Sequence, residues 1–307
     1  MLSRVSPPSK KWKKQRAFPQ SAWHVHNWGQ SLNIALLWLM ARLPHQLALP
    51  LGRGLGRIGY HFAHERRSIA EQNIDRCLPQ RTARERKQCV RNNFAMVGQA
   101  LAETALAWYG GPAVDDIPCV IRGEQHLEAA RAHPGRVILL SAHFLSTELL
   151  ARLAPRRLAL AALYKPLRKR PVLTRAMARR RRAHVNTVLA RDDLRGLVSA
   201  TRRGDAFCFF GDQDYGKHHS ISVPFFGHPA ATVTSLPRLA RLTHAAVVPM
   251  SFYWEDGVLV IEFSEALADY PSDDLEVDLL RMNQTLETAI KAHPEQYLWM
   301  HRRFKRL

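Results

Sequence analysis

Acidic residues are scarce in this chain: 26 Asp and Glu stand against 45 Lys and Arg, leaving a formal charge of +19 over 307 residues. A field of that sign attracts anionic partners, whether nucleic acid, anionic lipid or an acidic protein. Cysteine is scarce too. Cys77, Cys89, Cys119 and Cys208 form no Cys-x-x-Cys pair and no metal-ligand spacing, so neither a disulfide framework nor a metal site is expected. A reducing compartment fits. Cys208 lies inside the apolar run Ala206–Phe210 and is expected to be a buried thiol. Cys77 and Cys89 read as helix packing residues. A secretory signal and an internal repeat are also missing. No helix-turn-helix, zinc or RNA-binding signature appears, so no nucleic-acid partner is expected.

Long hydrophobic runs are missing as well. The apolar stretch Leu32–Ala41 stops at Arg42 and Pro44, where a spanning helix needs about 20 apolar residues. A weaker run, Leu47–Leu55, follows. Basic residues flank both sides, so no crossing direction can be read. The expectation for residues 31–64 is a membrane-associated helical segment that dips into one leaflet from the cytoplasm. A single span and a buried core helix are the alternatives. Residues 1–30, which carry Lys10, Lys11, Lys13, Lys14 and Arg16, read as a basic, disordered tail.

Residues 65–307 carry the pattern of one large domain. From about Glu65 to Trp108 it is helical, with Cys89, Val90, Phe94 and Val97 on one face, and Gly110-Gly-Pro112 ends it. Strands and helices then alternate. Val137–Ser141, Leu158–Tyr164, Ala206–Phe210 and Ala246–Trp254 read as strands, and Asp256-Gly257 as a hairpin turn into Val258–Phe263. Helices are expected from Pro171 to about His184, from Asp192 (as its cap) to Arg203, from Thr232 to Thr243 and from Asp274 to Ala292. That alternation implies an α/β fold with a mainly parallel sheet flanked by helices. Ligands in such sheets bind beyond the carboxyl ends of the strands.

Two polar segments stand at that edge: Ser141-Ala-His143 and Gly211-Asp-Gln-Asp-Tyr-Gly216. Glu148 lies five residues beyond His143. On one regular helix the two would diverge, so pairing requires His143 in the turn and Glu148 on the first helical turn, reaching back. A carboxylate on one imidazole nitrogen fixes the tautomer, and the other nitrogen can take a hydroxyl proton. Such a dyad activates an alcohol for attack on a thioester carbonyl. The bland alternative is a helix-capping glutamate near an unrelated histidine.

His143-x4-Glu148 after a buried strand resembles the His-x4-acid motif of the glycerolipid and lipid A acyltransferases. Further segments are similar to the late lipid A acyltransferases in particular. They are Leu55-Gly-Arg, Asn92-Asn-Phe94, Glu103–Trp108, Tyr164-Lys-Pro166, Asp212–Gly216, Val223–Gly227, Ala230-Ala-Thr232 and Pro294–Phe304. The resemblance covers residue 30 to the end and implies a glycerolipid-acyltransferase-like domain over 65–307. It implies an enzyme on the cytoplasmic face of the inner membrane. That enzyme would move a fatty acyl chain from acyl carrier protein to a hydroxyl of a hydroxyacyl chain on a lipid A precursor. No cofactor is needed, because the thioester supplies the driving force.

The phospholipid branch usually carries Asp in the dyad and a Glu-Gly-Thr type motif, both absent here. An arginine and an aspartate that line the site in this family map to Arg180 or Arg181 and to Asp212 or Asp214. The bland alternatives are a solvated arginine face and a turn cap. His301-Arg-Arg-Phe304 would meet the carrier protein or a lipid phosphate, or be a solvated tail. Two other functions stay open: acylation of another envelope lipid or glycolipid, and a non-catalytic basic membrane or nucleic-acid-binding protein.

Overall fold

A computed structural model describes the chain except residues 1–23, 25–26, 133–135, 157, 165–166, 168, 191–192, 215, 217–218 and 306–307. Most of the expected tail, the expected cap Asp192 and the Lys165-Pro166 pair therefore lie outside the described residues. Four helices open the described chain: α1 (Trp28–Met40), α2 (His45–Phe62), α3 (His64–Cys77) and α4 (Ala83–Tyr109). Next come β1 (Cys119–Arg122), α5 (Glu124–Ala132), β2 (Val137–Ser141), α6 (Thr147–Leu153), β3 (Leu160–Tyr164) and α7 (Pro171–Arg181). After these run β4 (Thr187–Ala190), α8 (Leu194–Arg202), β5 (Ala206–Phe210), β6 (Ser220–Phe225) and β7 (His228–Val233). The last are α9 (Ser235–Thr243), β8 (Ala246–Glu255), β9 (Val258–Phe263) and α10 (Leu275–Ala292).

Seven strands form one sheet in the order β1-β9-β8-β2-β5-β3-β4, parallel except where β8 meets β9. The α/β class and the mainly parallel sheet flanked by helices are as expected. Every residue of β2 is buried, because helices cover both faces of a parallel sheet. The register matters for function. Ser141 at the end of β2 lies beside Phe210 at the end of β5, so the segments after both strands leave the sheet side by side.

Several elements differ from the sequence expectation. The helical stretch after Glu65 is two helices, because Leu78-Pro79 ends α3 and a Thr82–Glu85 capping box restarts the chain in α4. Val97 is only half-buried on the α4 face that buries Cys89, Val90 and Phe94. Thr232 belongs to β7 rather than to a helix; with β6 it makes a separate hairpin turned by Phe226 and Gly227, both at positive φ. Strands β1 and β4, four residues each, had no legible pattern.

No helix of the described residues is long and apolar enough to cross a membrane. Nor is α1 a core helix: its only buried residue is Gln30. Helix α2 packs against α4 along Ala48, Gly52, Gly56 and Tyr60. A Cβ on Gly98 of α4 would overlap the Gly52 carbonyl and the Gly56 backbone, so the two helices touch main chain to main chain. Opposite, Leu47, Leu51, Leu55, Ile58 and Phe62 recur at helical spacing, all exposed.

The segment His301–Phe304 is no solvated tail. Residues 296–304 run along the turn after β2 as a strap. Leu145 N–H donates to the Gln296 carbonyl at 2.9 Å and Leu298 N–H to the His143 carbonyl at 3.1 Å, and Phe144 bridges Tyr297. Two buried asparagines hold the strap from behind. Asn93 donates to the carbonyls of Glu295 and Tyr297, and Asn73 to those of Trp299 and His301. Arg303 and Phe304 are buried, with Arg303 donating to the Ala231 carbonyl and Thr232.

Candidate active site

The register of β2 and β5 brings two of the candidate residues into contact. His143 and Asp212 are each the second residue after their strand. The Asp212 carboxylate accepts from His143 Nδ1 at 2.6 Å and from the His143 backbone N–H at 3.1 Å. Because a carboxylate only accepts, Nδ1 carries a proton in either charge state, and whenever the ring is neutral Nε2 is a base. The imidazole side chain is 24% exposed and Asp212 only 2%, so a substrate can reach the ring but not its partner. Phe210 packs on the ring at 4.6 Å between centroids. Burial opposes ionisation of Asp212, but the His143 charge and the hydrogen bonds of His143 and Tyr297 outweigh it and lower the carboxyl to about 2.

Glu148 therefore does not hold the His143 ring, contrary to the pairing expected from the sequence. It stands on the first turn of α6, where other donors take it. Arg181 grips both its oxygens, with Nε at 3.1 Å from one and Nη2 on the other. Trp108 Nε1, from the end of α4, donates at 2.8 Å. A third Arg181 nitrogen donates to the Leu163 carbonyl of β3 at 3.1 Å. Burial pushes the Glu148 carboxyl up, but the Arg181 charge and the Arg181 and Trp108 hydrogen bonds prevail and keep it below its ordinary value. The result is a bidentate, partly buried ion pair, with side chains 13% and 14% exposed.

The two open choices separate in space. Arg181 joins Glu148, whereas Arg180 turns away and lies 4.2 Å over the Tyr109 ring. Arg179 and Arg182 are exposed, as a solvated basic face would have them. Asp212 meets His143. Asp214 caps its own turn, accepting from Gly216 N–H at 2.8 Å, and lies 3.2 Å from Lys305. Trp108 and Tyr297 were not singled out from the sequence as site residues. Both lie inside segments that carried the family resemblance, which is the signal that could have found them.

Beneath the turn is a buried polar layer. Trp254 Nε1 donates to Glu103 at 2.6 Å and to Ser146 at 3.2 Å, and Gln99 donates to Glu103 at 2.7 Å. Desolvation raises the Glu103 carboxyl above its ordinary value, against those hydrogen bonds. The arrangement can take a proton at Nε2 of a partly exposed imidazole, and it also holds a guanidinium fixed on Glu148.

Residues 15–306 match the family model of the bacterial lipid A biosynthesis acyltransferases. The chain is 32% identical over 292 residues to the lipid A biosynthesis lauroyltransferase of Escherichia coli (strain K12), covering 94% of this chain and 95% of that one. Identity to the lipid A biosynthesis palmitoleoyltransferase of the same strain is also 32%, over 295 residues and 95% of each chain. The lipid A biosynthesis myristoyltransferase of that strain is 29% identical over 288 residues, 92% of this chain and 88% of its own.

Proposed function

We propose, from the premise that the chain belongs to the bacterial lipid A biosynthesis acyltransferases, that it transfers a fatty acyl chain from acyl carrier protein to a hydroxyl of a hydroxyacyl chain on a lipid A precursor. The observation that carries this reading is the partly exposed His143 ring backed by buried Asp212 beyond the ends of β2 and β5. His143 Nε2 takes the hydroxyl proton as the oxygen attacks the thioester carbon. The tetrahedral intermediate collapses, the carbon–sulfur bond breaks, and the imidazolium returns the proton to the carrier thiolate. Asp212 fixes the tautomer and balances the imidazolium. Glu148 serves as the anchor of Arg181, whose guanidinium supplies fixed positive charge for the developing oxyanion or a substrate phosphate. No cofactor enters the scheme.

The partners follow from charge and shape. Exposed Arg179 and Arg182 beside the site offer positive charge to an acidic carrier protein. The outward stripe of α1 and α2 (Trp28, Leu32, Leu36 and Leu39, then Leu47 to Phe62) is an apolar face with Arg42 and Arg57 exposed at its edges. Such a face suits the acyl boundary of an anionic bilayer, and the proposed location is the cytoplasmic face of the inner membrane.

The test is direct. Purified protein with acyl carrier protein thioester and a lipid A precursor should give the acylated lipid by mass spectrometry. His143→Ala should lower the rate by roughly a hundredfold or more, with the fold retained by circular dichroism. Unchanged turnover in that variant would sink the assignment. Acylation of a different envelope lipid by the same protein, with none of the lipid A precursor, would move the acceptor.

A further inference from the structure

One buried acid has no part in that scheme. Glu103 stands on α4 with 1% of its surface exposed. A buried carboxyl is costly unless its hydrogen bonds are made, and those of Glu103 lead to the His143 turn. The indole Nε1 of Trp254 carries one proton, shared between Glu103 at 2.6 Å and Ser146 Oγ at 3.2 Å. Gln99, one helical turn earlier, donates to the same Glu103 oxygen at 2.7 Å and accepts from Arg53 of α2. The main chain of Trp254 is fixed as well. Its N–H donates to Gln296 Oε1 at 2.7 Å, and its carbonyl accepts from Gln296 Nε2 at 2.8 Å. The Gln296 carbonyl in turn accepts from Leu145 N–H. Two neighbouring residues of the turn, Leu145 and Ser146, are thus held from one tryptophan.

We propose that Glu103 is a positioning residue: through the Trp254 N–H it sets where Ser146 stands, and with it the point at which α6 begins and presents Glu148 to Arg181. Ser146 is the residue before α6, and its carbonyl accepts from Leu150 N–H at 2.9 Å. It lies between His143 and Glu148 in the chain and is itself buried. Its side chain caps no N–H of α6, which leaves the hydroxyl to the indole. A satisfied buried network fixes one geometry, and this one spans α4, β8 and the turn before α6. The proposal rests on the acyltransferase reading for its rate measurements, but not for its second readout.

Glu103→Leu keeps the bulk and removes the acceptor. The expected result is a fall in kcat of about tenfold. Glu103→Gln restores an acceptor oxygen and should stay within about threefold of the parent. Ser146→Ala removes the other end of the contact and should lower kcat by about threefold. If Glu103 acts through Ser146, Glu103→Leu with Ser146→Ala should be no slower than Glu103→Leu alone. The second readout needs no substrate. In the full-length protein with isotope-labelled tryptophan, the Trp254 indole proton is assigned by its loss in Trp254→Phe. That proton should move upfield in Glu103→Leu and stay near the parent's position in Glu103→Gln. The proposal is overturned by a parental kcat or an unmoved indole proton in Glu103→Leu. It is equally overturned if Glu103→Gln is as slow as Glu103→Leu, or if the losses multiply in the double variant. Should Glu103→Leu fold poorly, Ser146→Ala judges the proposal: kcat must fall and the indole proton must move, and either one unchanged overturns it. A parent protein that transfers no acyl chain defeats the proposed reaction, while the indole proton still judges the contact.

Discussion

Strand β2 and helix α2 are both apolar, and they use that character in opposite ways. Every side chain of β2 is buried between helices, and the strand's end delivers His143 to the site. Helix α2 buries only Ala48, Gly52, Gly56 and Tyr60, and turns its leucines outward. The difference is one of neighbours. A strand inside a parallel sheet has apolar partners on both faces, whereas α2 lies on α4 through glycines so small that nothing larger is needed on the inner side. Hydrophobicity alone thus marks a core in one region and an exposed apolar stripe in the other.

Three measurements would break or sharpen that comparison. The largest effect is expected at the glycine contact. Gly98→Ala places a methyl group against the backbone of Gly52 and Gly56, where only main-chain movement can make room. Overpacking of that kind costs about 3 kcal/mol, more than the roughly 1 kcal/mol that alanine gains in helix propensity. The midpoint of urea unfolding should fall; a midpoint at or above the parent's would mean that α2 is not packed on α4 as described.

Next in size is the outward stripe. Leu51→Glu with Ile58→Glu should leave the unfolding midpoint nearly unchanged and weaken sedimentation with anionic vesicles by about tenfold. Turnover on detergent-dispersed substrate should stay within about twofold. Vesicle binding equal to the parent's would remove α2 from the membrane surface.

The smallest effect is an acid one. The folded Asp212 carboxyl is depressed from 3.8 to about 2. Its contribution is therefore complete above about pH 4 and is lost as the pH falls toward 2. The parent's unfolding midpoint should decline over that interval more steeply than that of Asp212→Asn. Parallel declines would show that the buried pair has no part in acid stability.

Much of the sheet was legible in advance because its central strands are unbroken apolar runs and the β8–β9 turn is an Asp-Gly pair. Strands β1 and β4 escaped notice, since four residues at a sheet edge carry too little pattern. The β6–β7 hairpin was missed because Pro224 and Pro229 lie inside its strands and demote them as strands in any sequence reading. His143, Glu148, Arg181 and Asp212 were all candidates. Who meets whom was not readable: periodicity cannot say that β5 lies next to β2, and it is that adjacency which gives His143 to Asp212. Once the aspartate has the ring, Glu148 is left for Arg181 and for Trp108, a residue 40 positions earlier.

The strap has a consequence for the order of events during synthesis. The wall that steadies the His143 turn comes from residues 296–304, whereas α1 and α2 leave the ribosome first. On the proposed function, the helices could reach a membrane while the site still lacks one side, and turnover would wait until Phe304 has been made. Contacts of such long sequence separation form late, so a nascent or C-terminally clipped chain would occupy its place without turning over substrate.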